Sequence, residues 1–393
     1  MTLGNLPLCA YAAIVEGTKG VHPREEGEGS GEGAIAIPAR ASDNEHLPLS
    51  WDLATSQQPI ANAGNSWWSS SYIYASDGRQ YFIVSHVGDP LLGFYRYSVL
   101  DIQNPENYRQ YSVTGTESDP IGAHIHGANI TLPTYGFEAV NPSDPLQSMR
   151  TWSTSGVEFD LTFDLSSPVI INGGSGTFTW GPFLTYEWSL VGGTTKGSFT
   201  INNTQLSIVP ERSLTWYDRQ VVWLPTTTSA PPGTSAAHNW TWFQLHYHDD
   251  DDRLTHLNHG SRPSKVSAWI WDYADSPRVQ FATTLQESGQ ASSGPGWQPQ
   301  QQVIRITEFT PSNRVWTSPG CGGSYHLDWT VKFQDGTELF ISALRDDQEF
   351  CDTDSGDHFQ PTYEGYITFV GADGFGRPVS GYGLVEICLA NIG

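Results

Sequence analysis

The chain has 393 residues, and 42 Asp and Glu against 19 Lys and Arg give it a formal net charge of −23. A field of that sign repels phosphate backbones and anionic lipid, which argues against nucleic-acid and membrane-surface partners, and no apolar run approaches the ~20 residues that a membrane-spanning helix needs. At 38% hydrophobic, 12% aromatic and 16% charged residues, the composition is that of a globular chain, long enough for two domains or one large duplicated β structure.

The N-terminal stretch "MTLGNLPLCAYAAIVEG" has no basic region ahead of its weakly apolar part and makes a poor signal peptide. Residues 24–44, "REEGEGSGEGAIAIPARASDN", are Gly-rich and acidic, so residues 1–45 are read as an arm or loop. From there on, strand-like runs recur: "QYFIVSHVG", "GVEFDLTFDL", "GTFTWGPFLTYEWSL", "GSFTINNTQLSIV", "RQVVWLP", "WTWFQLHYH", "KVSAWIWDY", "QVIRITEFT", "HLDWTVKF", "ELFISALRD" and "EGYITFVG". Each is β-branched, aromatic or alternating, and each is bounded by turn-forming residues. Helical spacing of apolar residues is nearly absent. Pro, Ser and Thr replace strand residues at 225–239, which suggests a junction, and residues 286–302 form a polar connection inside the second half. The expected fold is all-β, with two lipocalin-like β-barrel or curved-sheet domains in tandem at 46–225 and 226–393, since closure removes exposed sheet edges and leaves an interior for a small ligand.

Sequons at Asn129, Asn202 and Asn239 lie near expected strand ends or turns. The four cysteines, Cys9, Cys321, Cys351 and Cys388, lack the close spacing of zinc sites. Disulfides Cys321–Cys351 and Cys9–Cys388 are the favoured reading, with buried thiols as the alternative. Sequons and cysteines together imply a protein of the secretory pathway, secreted or lumenal, whose signal peptide has been replaced by the initiating Met.

The segment "WFQLHYHDDDD" sets His246 and His248 two apart, on one side of an extended strand, beside four aspartates. A strand running into a solvated hairpin explains it better than a metal site, because adjacent aspartates point in different directions and lack the spacing of a calcium loop. The same applies to His124 and His126 in "IGAHIHGAN". No metal site is expected. The motifs of serine hydrolases, nucleotide-binding loops and zinc proteases are missing from the sequence.

The runs "SLTWYDRQVVWLP", "NWTWFQLHYHDDDDRLTHLNHG", "HLDWTVKFQDGTELFISALRDDQEF" and "GYGLVEI" resemble the lipocalin-like carotenoid 1,2-hydratase and kievitone hydratase superfamily. "GAHIHGANITLPTYGFEAVNPSDPLQSM" is similar to its secreted, glycosylated fungal branch, whose hetero-Diels-Alderases join a tropolone quinone methide to a sesquiterpene such as humulene. The resemblance covers most of residues 50–393. It implies two lipocalin-like domains, a pocket at or near their interface, small hydrophobic substrates and no cofactor. Carotenoid hydratases of this kind use a His-x-Trp and a later Tyr-x-Asp for acid catalysis. The matching positions here are Tyr186 and Trp188 in "YEW", then Trp216 and Asp218 in "WYD", so Tyr replaces the His and Trp the Tyr.

Pericyclic chemistry asks less of a site than hydration does, since it needs reactants held in register and a donor for an oxygen gaining charge. The leading expectation is therefore a hetero-Diels-Alderase of meroterpenoid biosynthesis. A hydratase or dehydratase of a prenylated natural product and a non-catalytic hydrophobe carrier are the alternatives. By analogy with that branch, Trp67, Trp68 and Ser70 would line the first-domain side, Tyr186, Trp188, Trp216 and Asp218 its far wall, and His246 an adjoining position. Trp329 and Arg345 would complete the pocket from the second domain, with Arg345 donating to a carbonyl oxygen and Asp218 as a carboxylic acid. Against each stands a structural role: core packing for the tryptophans and His246, an ion pair with Arg219 for Asp218, and one with Asp346 or Asp347 for Arg345.

Overall fold

The structure, a computed structural model, describes residues 52–60, 63–89, 93–116, 118–180, 183–223, 238–248, 264–273, 277–286, 300–351 and 361–389. The acidic arm, Cys9 with its expected bond to Cys388, the aspartates 249–252 and most of the breaks at 225–239 and 286–302 lie outside these residues.

The described chain is nearly all strand, and Leu53–Ser56 is its one α-helix, capped by Asp52, whose carboxylate accepts from Thr55 N at 3.1 Å. Strands between Ala63 and Trp223 form one antiparallel, strongly curved sheet. Its central order is Phe94–Asp101, Gln80–Gly88, Ala63–Tyr74, Leu214–Trp223, Phe183–Ile201, Phe159–Asp164 and Ser148–Ser153. Phe183–Ile201 runs for 19 residues because a bulge between Leu190 and Gly193 bends it from one partner, Leu214–Trp223, to the next, Phe159–Asp164. Gly193 is required at the bend: a Cβ there would lie 2.1 Å from Asp164 O.

Strands between His238 and Cys388 close on themselves. Pro378–Cys388 pairs with His238–Tyr247, and Glu338–Ala343 pairs with Thr362–Ala372, which completes an eight-stranded barrel. The disulfide Cys321–Cys351, with Cα atoms 6.0 Å apart, ties the barrel's loops as expected.

Burial patterns explain how the two bodies meet. Asp328–Phe333 and Glu338–Ala343 alternate cleanly, with Trp329, Val331, Phe333, Leu339 and Ile341 inside the barrel and their neighbours facing out. Ala63–Tyr74, by contrast, is buried along almost its whole length. Its odd-numbered Trp67 and Ile73 fill the core of the curved sheet, while Trp68 and Tyr72 join a second core shared with the barrel's Trp240, Trp242, Trp269, Trp271, Tyr366 and Leu384. Side-chain amides lock the seam: Gln301 Nε2 donates to Val169 O at 2.7 Å while its Oε1 accepts from Ile171 N at 2.9 Å.

Candidate active site between the two sheets

Period-two alternation sends a polar row of each body into this shared core. From the curved sheet come Ser70 and Tyr72, Glu187 and Ser189, Asp218, and His86 with Arg96; from the barrel come Gln244 and His246, Glu364 and Glu386. Burying a polar group costs free energy unless it is hydrogen-bonded, so each of these needs its partners accounted for.

Asp218 is 4% exposed. Its Oδ1 accepts from Trp216 Nε1 at 3.0 Å, and Ser189, directly opposite in the register, donates to the same carboxyl. Burial outweighs these donors and pushes the carboxyl up to about 7. Its Oδ2 has no hydrogen-bond partner among the described residues. Glu187, two residues before Ser189 on the same strand face, is linked to that serine through Asn172, whose Nδ2 donates to Glu187 Oε1 at 3.1 Å and to Ser189 Oγ at 3.3 Å. Burial first, then the nearby charges of Asp218 and Glu386, raises the Glu187 carboxyl well above its usual range.

Across the seam, Gln244 Oε1 accepts from Ser70 Oγ at 2.5 Å and from Tyr72 OH at 2.7 Å. The His246 ring stacks on Tyr382 with centroids 5.2 Å apart and meets Tyr72 and Trp216 edge-on at 4.7 and 5.4 Å. Trp242 bridges this group to the rest, 5.2 Å from Trp68 and stacked 5.4 Å from Trp269.

A second polar group lies beside Trp68, whose indole N–H donates to Glu364 Oε2 at 3.1 Å. Arg96 forms a close ion pair with Glu364 and reaches His86 Nδ1 at 2.9 Å and Glu386 Oε1 at 3.4 Å. His86, Glu364 and Glu386 bring three ligand-type atoms within 4.8 Å of one another, and the Arg96 guanidinium supplies the positive charge among them. Although burial favours its neutral form, Arg96, then His86 and Trp68, hold Glu364 below the usual carboxylate range. Burial, then Arg96, lowers His86 to about 4. Burial, then Glu364, raises Glu386 to about 8.

These shifts set a pH dependence of stability. Asp218 and Glu386 bind protons more tightly when folded, so their contribution is full at acid pH and is lost as pH rises through about 7 and about 8. His86 binds its proton less tightly when folded, which acts in the opposite sense between about 4 and its unfolded value of 6.5. Above pH 6.5 only the carboxyl contribution remains. Thermal melting is therefore expected to move to lower temperature from pH 6.5 to pH 8.5, and scanning calorimetry across that range checks it.

Of the residues singled out in the sequence, the structure brings together Trp68, Ser70, Trp216, Asp218 and His246. Trp67, expected on the first-domain side, and Tyr186 and Trp188, expected on its far wall, face the core of the curved sheet instead. The register explains the offset: Ser189, not Trp188, stands opposite Asp218, so Trp188 is out of phase with it and Glu187 takes the inward place. Trp67 packs under Arg219, whose guanidinium lies 4.2 Å over the ring and is bound to Ser66 O, Gln58 O and Asn65 Oδ1. Asp218 and Arg219, adjacent on a strand, thus point to opposite sides. Trp329 sits inside the barrel, 5.3 Å from Phe243. Arg345 clamps the rim of the seam, donating to Pro105 O and to Asp347 O, each at 2.8 Å, over the Tyr108 ring.

His248 is exposed, and His124 pairs with Asp119 on the surface at 2.5 Å. Asn202 is exposed at a turn with φ 49°, whereas Asn129 and Asn239 are half-buried in strands.

Sequence reasoning passed over Glu187, Gln244, Glu364, Glu386 and Arg96. Each interrupts an otherwise apolar or aromatic run, as in "TWFQLHY", "TYEGYITF" and "GLVEIC", and a lone polar residue in such a run was the available signal.

No family model matches the chain. It is, however, 31% identical over 352 residues to kievitone hydratase of Fusarium solani subsp. phaseoli, covering 88% of both chains. The chain belongs to the kievitone hydratase family. Dehydratase asqC of Emericella nidulans is likewise 31% identical over 349 residues, covering 87% of this chain and 89% of that protein. The crystal structure of kievitone hydratase from Nectria haematococca superposes with a TM-score of 0.70 at 32% identity, over 89% of this chain and 96% of that one. A Nitrosomonas europaea structure assigned as AttH shares the fold, with a TM-score of 0.64 at 16% identity over 86% of this chain and 97% of its own. Both named sequence relatives of this family member are enzymes, one a hydratase and the other a dehydratase.

Proposed function

We propose that the protein is a hydro-lyase that adds water to, or removes it from, an alkene-bearing hydrophobic natural product at the seam between sheet and barrel. The observation that carries this reading is Asp218: a buried carboxyl, raised to about 7, with one oxygen unengaged among the described residues and aromatic rings around it. An acid whose pKa lies near the working pH is the effective proton donor. In the hydration direction Asp218 gives its proton to one alkene carbon, and the cation left on the other is stabilised by the faces of neighbouring indoles. Water adds to that carbon, and its surplus proton returns to the Asp218 carboxylate. Dehydration is the reverse. The named activities of the two relatives support the same reading.

Hetero-Diels-Alder cycloaddition is the second reading. The indole-rich seam, with Trp68, Trp216 and Trp269 each against Trp242, favours it as a surface for gripping two apolar reactants. The two are separated by one assay in ¹⁸O-labelled water, with kievitone in one arm and a tropolone quinone methide plus humulene in the other. A product carrying the label supports the hydro-lyase. An unlabelled cycloadduct formed faster than in buffer, and unaffected by Asp218→Asn, overturns it.

A further inference from the structure

Gln244 and His246 take no part in the acid chemistry, yet they sit at the centre of the seam with hydrogen-bonding capacity to spare. Both are 0% exposed. The Oε1 of Gln244 is taken up by Ser70 and Tyr72, which fixes the direction of the amide and leaves its Nε2 donors without an acceptor among the described residues. Neither ring nitrogen of His246 has a partner among them. The two side chains lie two residues apart on one strand, so they face the same way. Tyr72 touches both, bonding to the amide and meeting the imidazole at 4.7 Å.

Buried donors and acceptors are normally satisfied, and leaving one unpaired is costly. A cluster of them within an aromatic cage is what a site shaped for a ligand's polar group looks like before the ligand arrives. Burial, then Lys265, holds the imidazole well below its ordinary pKa, so it stays neutral and offers one N–H and one bare nitrogen. A carboxylate can accept from the Gln244 amide but has no hydrogen to give the bare ring nitrogen, and a hydrocarbon leaves every one of these atoms unpaired. A hydroxyl serves both side chains at once, because its oxygen accepts from Gln244 Nε2 while its hydrogen is donated to the bare nitrogen of the His246 ring.

We infer that Gln244 and His246 form an anchoring subsite for a hydroxyl group on a flat aromatic ring, held against Trp216 and Tyr382, and that they set specificity for oxygenated aromatic substrates over hydrocarbons. The inference rests on the hydro-lyase reading only in treating the ligand as a substrate; the subsite itself is a binding property.

Equilibrium dialysis of the full chain with 2-naphthol and with naphthalene tests it, since the probes differ by one hydroxyl. Wild type is expected to prefer 2-naphthol, beyond their difference in water solubility, by about tenfold or more, the worth of one or two hydrogen bonds. His246→Phe keeps a ring of similar shape on Tyr382, and the preference should drop about tenfold while naphthalene binds as well or better. Its melting temperature should hold or rise, because an unpaired buried polar group has gone. Gln244→Leu should lower the preference too, but it also strips Ser70 and Tyr72 of their acceptor, so His246→Phe decides. Failure of 2-naphthol to bind, no preference in wild type, a preference unchanged in His246→Phe, or a lower melting temperature in that variant overturns the subsite. None of these outcomes bears on Asp218, which the labelled-water assay judges separately.

Discussion

Asp218→Asn is expected to reduce turnover by about 10²–10⁴-fold, the range that a positioned proton donor contributes, with substrate affinity little changed. An amide keeps the shape of the carboxyl and can still accept from Trp216 Nε1 and Ser189 through its oxygen. What it lacks is a proton it can release. In the wild type, kcat/KM for hydration should fall as pH rises through about 7, where Asp218 loses its proton. The residual activity of the variant should lack that limb. Stability supplies an independent readout: the variant no longer has to ionise a buried group, so its melting temperature should exceed that of wild type at pH 8.5 and converge with it at pH 4. A variant that turns over normally, or melts in parallel with wild type at every pH, removes Asp218 from the chemistry.

Arg96→Met should have the largest effect on stability. The Glu364 carboxylate is 0% exposed and is kept charged by that guanidinium across the seam. Removing one partner of a buried pair leaves an uncompensated charge and costs about 3–5 kcal/mol. At roughly 2–4 °C per kcal/mol for a cooperative unit of about 150–250 residues, the melting temperature should drop by about 6–20 °C. Arg96→Met combined with Glu364→Gln should recover much of the loss, since the orphaned charge is then gone. Arg314→Met is the control. Its pairs with Asp328 at 2.9 Å and Asp346 at 2.6 Å are half-exposed, and such pairs contribute about 0–1 kcal/mol. Equal effects of Arg96→Met and Arg314→Met would show that the seam does not depend on its buried ion pair.

Much of the fold was legible because strand formation is written locally. The runs around Phe82, Phe163, Trp242 and Trp329 alternate or are β-branched and aromatic, and all four are strands. The Cys321–Cys351 bond was legible from the small set of possible pairings. The site was legible only in part. "WYD" and "SWWSSSY" pointed to Asp218, Trp216, Trp68 and Ser70, but the same reasoning placed Trp188 with them when strand pairing sets it opposite Arg219, on the other face of the sheet. Trp329 looked like a wall residue because an inward-facing indole in a barrel and one at a seam leave the same mark on a strand. Arg345 looked like a free donor because its partner, Pro105 O, comes from a turn 240 positions away.

By itself, then, the sequence determined an all-β chain, its strand positions, its aromatic interior and its family, since all of these depend on residues near one another along the chain. Which face of each strand meets the other body, and therefore that Asp218, Gln244, His246 and the Arg96–Glu364 pair share one buried seam, was decided by the tertiary structure. Trp68 and Glu364 touch across 296 positions of sequence. Contacts of that kind depend on register, bulges and barrel closure, which are settled by the packing of all the strands together and leave no local trace in any one of them.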